Sequence, residues 1–289
     1  MDIQGKFDDK FKSIVDCYEN QFVLNLDIGS SLAITYHGEV VVDIWAGTRD
    51  KAQSLPWEED TIVNVFSSTK NATSLSAYVL ADRGHLDFKA PVAKYWPEFA
   101  QNGKENILVS HVMSHSSGLA GWDAPVAGND LYDPDKVAAL FETQEPWWEP
   151  GMALGYHAIS VGNLMGEIIK RISGKTVGNF FKDEIAKPLD IDFHIGLEDK
   201  HHSRVAEIHQ AVETNPEDLF ELEEGSVMQK VMTNGIITAP DANTSEWRRA
   251  EIPAAGGHGN GRSIAAVSYT HLRAHETDSY LVCRLLLEK

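Results

Sequence analysis

The stretch SLAITYHGEVVVDIWAG, residues 31–47, restricts the fold more than any other. Two runs rich in β-branched and aromatic residues meet at His37-Gly38, the signature of two strands joined by a tight turn. The run from Val40 to Trp45 is apolar except for Asp43. This hairpin has to be accommodated among helices on both sides. Before it, residues 6–20 place Phe7, Phe11, Ile14, Val15 and Tyr18 on one helical face. After it, Ala72, Leu75, Ala77, Tyr78 and Val79 predict a helix that Gly84 ends. Val161, Leu164, Met165, Ile168, Ile169 and Ile172 predict another, stopped at Gly174. VGNFFKDEIAKPL predicts a further helix, stopped by Pro188. APVAKYWPEF and EPWWEPGMALGY are loops punctuated by proline and tryptophan. The charged residues 199–224 are expected to be a solvated surface. There is no internal repeat and no long linker.

A chain of 289 residues can bury a large core, as one large domain or two smaller ones. Its net charge of −18 repels phosphate backbones, which argues against nucleic-acid partners. No apolar run is long enough to span a bilayer, and the polar N-terminus has no signal-peptide core. Cys17 and Cys283 make no disulfide framework. A reducing cytoplasm is the expected compartment.

One Ser-x-x-Lys occurs, at Ser67–Lys70 in NVFSSTKNATS. Within a helix, Lys70 lies one turn beyond Ser67 on the same face. A serine hydroxyl is a weak nucleophile until a base takes its proton. A lysine serves as that base only when burial or a neighbouring cation favours its neutral form. A helix N-terminus stabilises a developing anion. The same four residues also fit a plain N-cap serine followed by a surface lysine, so the flanks decide. His111 and His115 have the spacing of a zinc helix, but Val112 stands where a metalloprotease needs glutamate. SGKT at 173–176 lacks the upstream glycine of a phosphate loop, Ile169 taking its place. GGHGNG at 256–261 follows no clear strand and is read as backbone geometry. No Gly-x-Ser-x-Gly elbow is present.

The flanks resemble a known family. VFSSTKNATSLSAYVLADRGHLDFKAPVAKYWPEF, ILVSHVMSHSSGLAGWD and WWEPGMALGYHAISVGNLMGEIIKRISGKTVGNFFKDEIAKPLDID follow one another. In that order they resemble serine β-lactamases and penicillin-binding proteins, specifically class C β-lactamases and the family VIII carboxylesterases. The resemblance implies a mixed α/β (α+β) fold: an antiparallel sheet flanked by helices, with a mostly helical region between its two sequence halves. It assigns Ser67 as the acylated nucleophile, Lys70 as a residue that helps remove its proton, and Tyr156 as the tyrosine of the second motif. Ala158 stands where β-lactamases usually carry Asn, which favours an esterase.

The resemblance implies one hydrolase domain over residues 1–267, with the α/β part at about 1–75 and 240–267 and the helical part at about 76–239. The family's third motif, Lys-Thr-Gly or a relative, is not found. Residues 268–289 do not continue the pattern and are expected to be a non-native tail, with the C-terminal strands missing and the sheet incomplete. The implied activity is serine hydrolysis of small esters through an acyl-enzyme, with no cofactor, no metal and a small-molecule ester or amide substrate. A β-lactamase or D-Ala-D-Ala carboxypeptidase is the same-chemistry alternative. A non-catalytic relative of the fold is the other.

Overall fold

The computed structural model describes residues 2–209 and 222–273. The hairpin forms as the sequence predicts, from β2 (Gly29–Tyr36) and β3 (Glu39–Gly47). His37 and Gly38 both have positive φ, at 49° and 88°, the geometry of the tight turns that suit twisted strands. A third strand, β1 (Gln4–Phe7), pairs with the other edge of β3, giving the order β1-β3-β2. Here the sequence reading needs correction. Phe7 lies in this strand opposite Val42, not on a helix. Asp8 then caps a short helical turn, and helix α1 begins only at Lys12 (Lys12–Val23). Val15, Tyr18 and Phe22 form the buried face of α1 and pack on Val42, Ile44 and Ala46 of β3. The interruption at Asp43 has a cause. Its carboxylate faces the other side of the sheet and takes two hydrogen bonds from Arg262, at 2.8 and 3.1 Å.

The second sheet has the order β4-β6-β5, from β4 (Val63–Asn64), β6 (Gly257–Gly259) and β5 (His194–Ile195). Its central strand lies within GGHGNG, which the sequence reading did not place as a strand. Three glycines in four residues erase the alternation that reveals a strand, and here they are a packing requirement. A Cβ on Gly257 would meet Thr69 Oγ1 at 2.6 Å, and one on Gly259 would meet the Phe193 ring at 2.7 Å.

The main core lies among the helices. α2 (Thr69–Asp82) precedes the short α3 (Val109–Met113), and α4 (Pro134–Thr143) packs on α5 (Ser160–Ser173). Leu75, Leu80, Leu164, Ile168, Ile169 and Phe181 are buried together with Trp96 and Trp247. Gly174 ends α5 in the left-handed region, and Gly84 follows α2 in the same way. The predicted helix before Pro188 is α6 (Val177–Phe181), continued by one wide turn over Lys182–Ala186. α7 (Val227–Thr233), α8 (Ser245–Arg249) and α9 (Gly261–Arg273) complete the order.

The charged segment from 199 is less solvated than expected. Val205 and Ala206 are buried, because the chain there bonds Ile62 through Arg204 O and Ala206 N–H. Arg204 is clamped on the Asp192 carboxylate at 2.6 Å through both terminal nitrogens. The acidic part at 210–221 lies outside the described residues. The expected boundary after Val267 falls inside α9, and most of the stretch from 268 is also outside them. Among the described residues no helix is long and apolar enough to cross a membrane.

Candidate active site

Ser67 reaches the surface through an unusual turn. β4 ends at Asn64, and Val65 N–H bonds Gly257 O at 2.9 Å. Phe66 then takes a positive φ of 42°. For a residue with a Cβ this costs about 1–3 kcal/mol and needs support from its surroundings. The support is Trp247, whose ring lies 6.4 Å from that of Phe66 and whose indole N–H donates to Asn64 Oδ1 at 2.9 Å. One tight turn, Phe66–Ser68, leads into α2, so Ser67 stands exposed at the helix start. Its own N–H belongs to the first turn, where no intrahelical acceptor exists.

The three residues singled out in the sequence meet here. Ser67 Oγ lies 2.9 Å from Tyr156 Oη and 3.0 Å from Lys70 Nζ. Lys70 Nζ also donates to the Ala254 carbonyl at 3.0 Å and sits 5.2 Å from the Tyr156 ring centre. Burial pulls Lys70 below the ordinary lysine range, and attraction to Tyr156 offsets only part of this. Burial pushes the Tyr156 phenol up, but the hydrogen bond with Ser67 and the charge of Lys70 outweigh it, and the net direction is down. Both groups are held below their ordinary values, and because each shifts the other, their protons belong to the pair. One proton removed from that pair leaves a base in contact with Ser67 Oγ, whichever member holds the other.

Tyr156 is held from behind by residues the sequence reading did not assign. Gly155 N–H donates to His115 O at 3.0 Å, and His157 N–H donates to His115 Nδ1 at 3.1 Å. His157 is fully buried, its Nε2 2.7 Å from Ser117 Oγ. Burial pushes the His157 pKa down to about 4, so the ring is neutral near neutral pH. Gly155 has to be glycine, since a Cβ would lie 2.4 Å from the Trp148 ring. The only signal in the sequence is adjacency, since Gly155 and His157 flank Tyr156.

His111 and His115, the pair with zinc spacing, have other partners. Leu108 N–H donates to His111 Nδ1 at 3.3 Å, and the His115 ring lies 5.1 Å from that of Tyr156. No group of three or more potential metal ligands occurs among the described residues.

The model of the Beta-lactamase family matches residues 25–282. The chain belongs to this family. Esterase/beta-lactamase LipL of Mycobacterium tuberculosis (strain ATCC 25618 / H37Rv) is 38% identical over 200 residues, covering 66% of this chain and 44% of that protein. Esterase EstB of Burkholderia gladioli is 26% identical over 179 residues, covering 56% and 45%. The chain thus spans under half the length of these two relatives. Among solved structures, a family VIII carboxylesterase superposes with a TM-score of 0.85 at 38% identity, over 92% of this chain and 70% of that one. A penicillin-binding protein homolog from Caulobacter crescentus gives 0.80 at 33% identity, over 90% and 68%. Membership of the Beta-lactamase family agrees with the mixed α/β fold implied by the sequence resemblance.

Proposed function

We propose that this protein is a serine hydrolase that cleaves small carboxylic esters through an acyl-enzyme on Ser67. The observation that carries the proposal is the contact of Ser67 Oγ with both Tyr156 Oη and Lys70 Nζ at 2.9 and 3.0 Å. In the acylation step, Ser67 Oγ attacks the ester carbonyl and its proton passes to the Tyr156–Lys70 pair. The carbonyl carbon forms a bond to Oγ, the bond to the alkoxide breaks, and the pair returns the proton to the leaving alcohol. Water then attacks the acyl-enzyme by the reverse proton path and releases the acid. Relatives named esterase/beta-lactamase at 38% identity and esterase at 26% identity support esters as a substrate class. Ala158 supports it too, since its methyl offers no amide where β-lactamases usually carry Asn.

The oxyanion of the intermediate needs two donors, and the Ser67 N–H supplies one. We place the second on strands beyond this sheet. Among the described residues β2 pairs only with β3, and its outer edge borders a cavity of about 510 Å³ lined by Ile28, Ser31, Val63, Gly259 and Ile264. On this reading residues 1–267 are one incomplete hydrolase domain, and strands added at β2 complete it. The cytoplasmic compartment, expected from the cysteine content, belongs to the same proposal.

The test is turnover of p-nitrophenyl acetate or butyrate by the protein extended to its relatives' length. Turnover should vanish in Ser67→Ala. Turnover retained at the unsubstituted rate would overturn the assignment.

A further inference from the structure

His115 closes α3 in a conformation that ordinarily calls for glycine. Its N–H donates to Val112 O at 3.3 Å, and Ser116 N–H donates to His111 O at 2.8 Å. These are the paired bonds of a Schellman helix stop, with His115 at the left-handed position and a φ of 59°. Glycine meets that requirement without strain, and a residue with a Cβ does not. A strained residue of this kind is a place to look for function. The zinc spacing of His111 and His115 does not account for it, because no group of three or more potential metal ligands occurs among the described residues.

The side chain and the carbonyl of His115 both serve Tyr156. The two peptide N–H groups that flank Tyr156 end on this one residue. Gly155 N–H donates to His115 O at 3.0 Å, and His157 N–H donates to His115 Nδ1 at 3.1 Å. The His115 ring also lies 5.1 Å from the Tyr156 ring and 5.3 Å from that of His157. Since Nδ1 accepts, the proton of the neutral ring sits on Nε2. Burial and the nearby charge of Lys70 both disfavour the imidazolium, which would have no lone pair on Nδ1 to offer. Tyr156 itself is 49% exposed. With half of its surface open, it depends on its backbone to keep Oη 2.9 Å from Ser67 Oγ.

We propose that His115 is the positioning residue for Tyr156: its carbonyl and its Nδ1 fix the peptide groups on either side and so hold the phenol on Ser67. The proposal rests on the serine-hydrolase reading and adds a residue that acts through Tyr156. A misplaced phenol leaves ground-state binding intact, so the loss falls on kcat and not on KM. A displacement of about 1 Å costs about 10²-fold in rate.

The experiment measures kcat and KM for p-nitrophenyl butyrate in the extended protein, with thermal melts beside them. The variants are His115→Gly, His115→Asn, His115→Gln and Ser67→Ala, with His115→Gly also made in Tyr156→Phe. His115→Gly relieves the strain but removes the acceptor, and kcat should fall by about 10–100-fold with KM little changed. Asparagine tolerates the left-handed backbone and carries Oδ1 as many bonds from Cβ as Nδ1, so His115→Asn should recover most of the loss. Glutamine carries its carbonyl one bond further, so His115→Gln should not. In Tyr156→Phe, His115→Gly should cost no further kcat, because no hydroxyl is left to position. If His115→Gly does not melt cooperatively, the contrast between His115→Asn and His115→Gln decides in its place. An unchanged kcat in His115→Gly, a loss that His115→Asn shares in full, a loss confined to KM, or losses that add in Tyr156→Phe would each overturn the proposal while leaving the hydrolase reading intact. Ester turnover that survives Ser67→Ala, or no turnover of any ester, overturns the hydrolase reading and this inference with it.

Discussion

Lys70 Nζ is held midway between Ser67 Oγ and the Ala254 carbonyl, 3.0 Å from each. The carbonyl fixes the amine without neutralising it, so burial is left to lower its pKa. Ala254 is fixed in turn by close packing, since a Cβ on Gly162 would lie 2.5 Å from Ala254 N. A lysine placed this way can exchange a proton with Ser67, whereas an arginine cannot, because its guanidinium does not deprotonate. Lys70→Arg should therefore fail to restore the activity lost in Lys70→Met, with both down by about 100-fold or more. Ester turnover near the unsubstituted rate in Lys70→Arg would remove Lys70 from the proton path. The pH profile of kcat/KM should rise through one ionisation lying below the ordinary lysine value of 10.5. Activity is lost as pH falls through it, because both members of the pair then hold their protons.

Tyr156→Phe keeps the ring against His115 and removes only the hydroxyl. General acid–base groups contribute about 10²–10⁴-fold. Steady-state kinetics should show a loss in that range. A loss below about tenfold would leave Tyr156 a packing residue.

His157 gives a stability signature distinct from the activity signature. Its folded pKa is about 4, below the ordinary value of 6.5. The unfolded chain takes up the proton first, so stability falls as pH drops from 6.5 through about 4. The loss is up to about 3 kcal/mol at the low end of that window. His258, pushed down to about 3 by burial, extends the decline to lower pH. Thermal melts across pH 4–7 should show a shallower slope in His157→Gln than in the unsubstituted protein. Parallel slopes would mean that His157 is protonated in the fold.

Among the described residues β2 pairs with no strand but β3, which predicts poor behaviour for the 289-residue chain by itself. An unpaired strand edge beside apolar surface, here Ile28, Leu26 and Leu24, is an aggregation liability. If, as proposed, the second oxyanion donor lies on added strands, its loss also costs roughly 10²–10³ in rate. Expressed beside a version extended to its relatives' length, the 289-residue chain should aggregate more and turn over esters at least that much more slowly. Equal solubility, equal cooperativity of melting and equal rates would show that the sheet needs no further strands.

Much of this site could be read from the sequence because its parts follow local rules. The His37-Gly38 turn, the α5 face from Val161 to Ile172 and the Gly174 stop depend on neighbours within a few residues. The approach of Ser67, Lys70 and Tyr156 came from a family resemblance, since Ser67 and Tyr156 are 89 residues apart. Other features depend on tertiary contact and left no periodic signal. β1 is a strand because β3 offers it an edge, and β6 is a strand of glycines because Thr69 and Phe193 leave no room for side chains. The positive φ of Phe66 depends on Trp247, far along the chain. His157 was legible only as the residue after Tyr156, and its burial against Ser117 needed the fold.

The most direct test of the account is the mass of the protein during turnover. The extended protein, mixed with p-nitrophenyl butyrate and quenched in acid within the first turnovers, should carry one butyryl group, and peptide mapping should place it on Ser67. In Tyr156→Phe the adduct should form more slowly at the same residue, and in Ser67→Ala it should be absent. A butyryl group on any other residue, or ester turnover with no adduct in any variant, would contradict a mechanism built on Ser67.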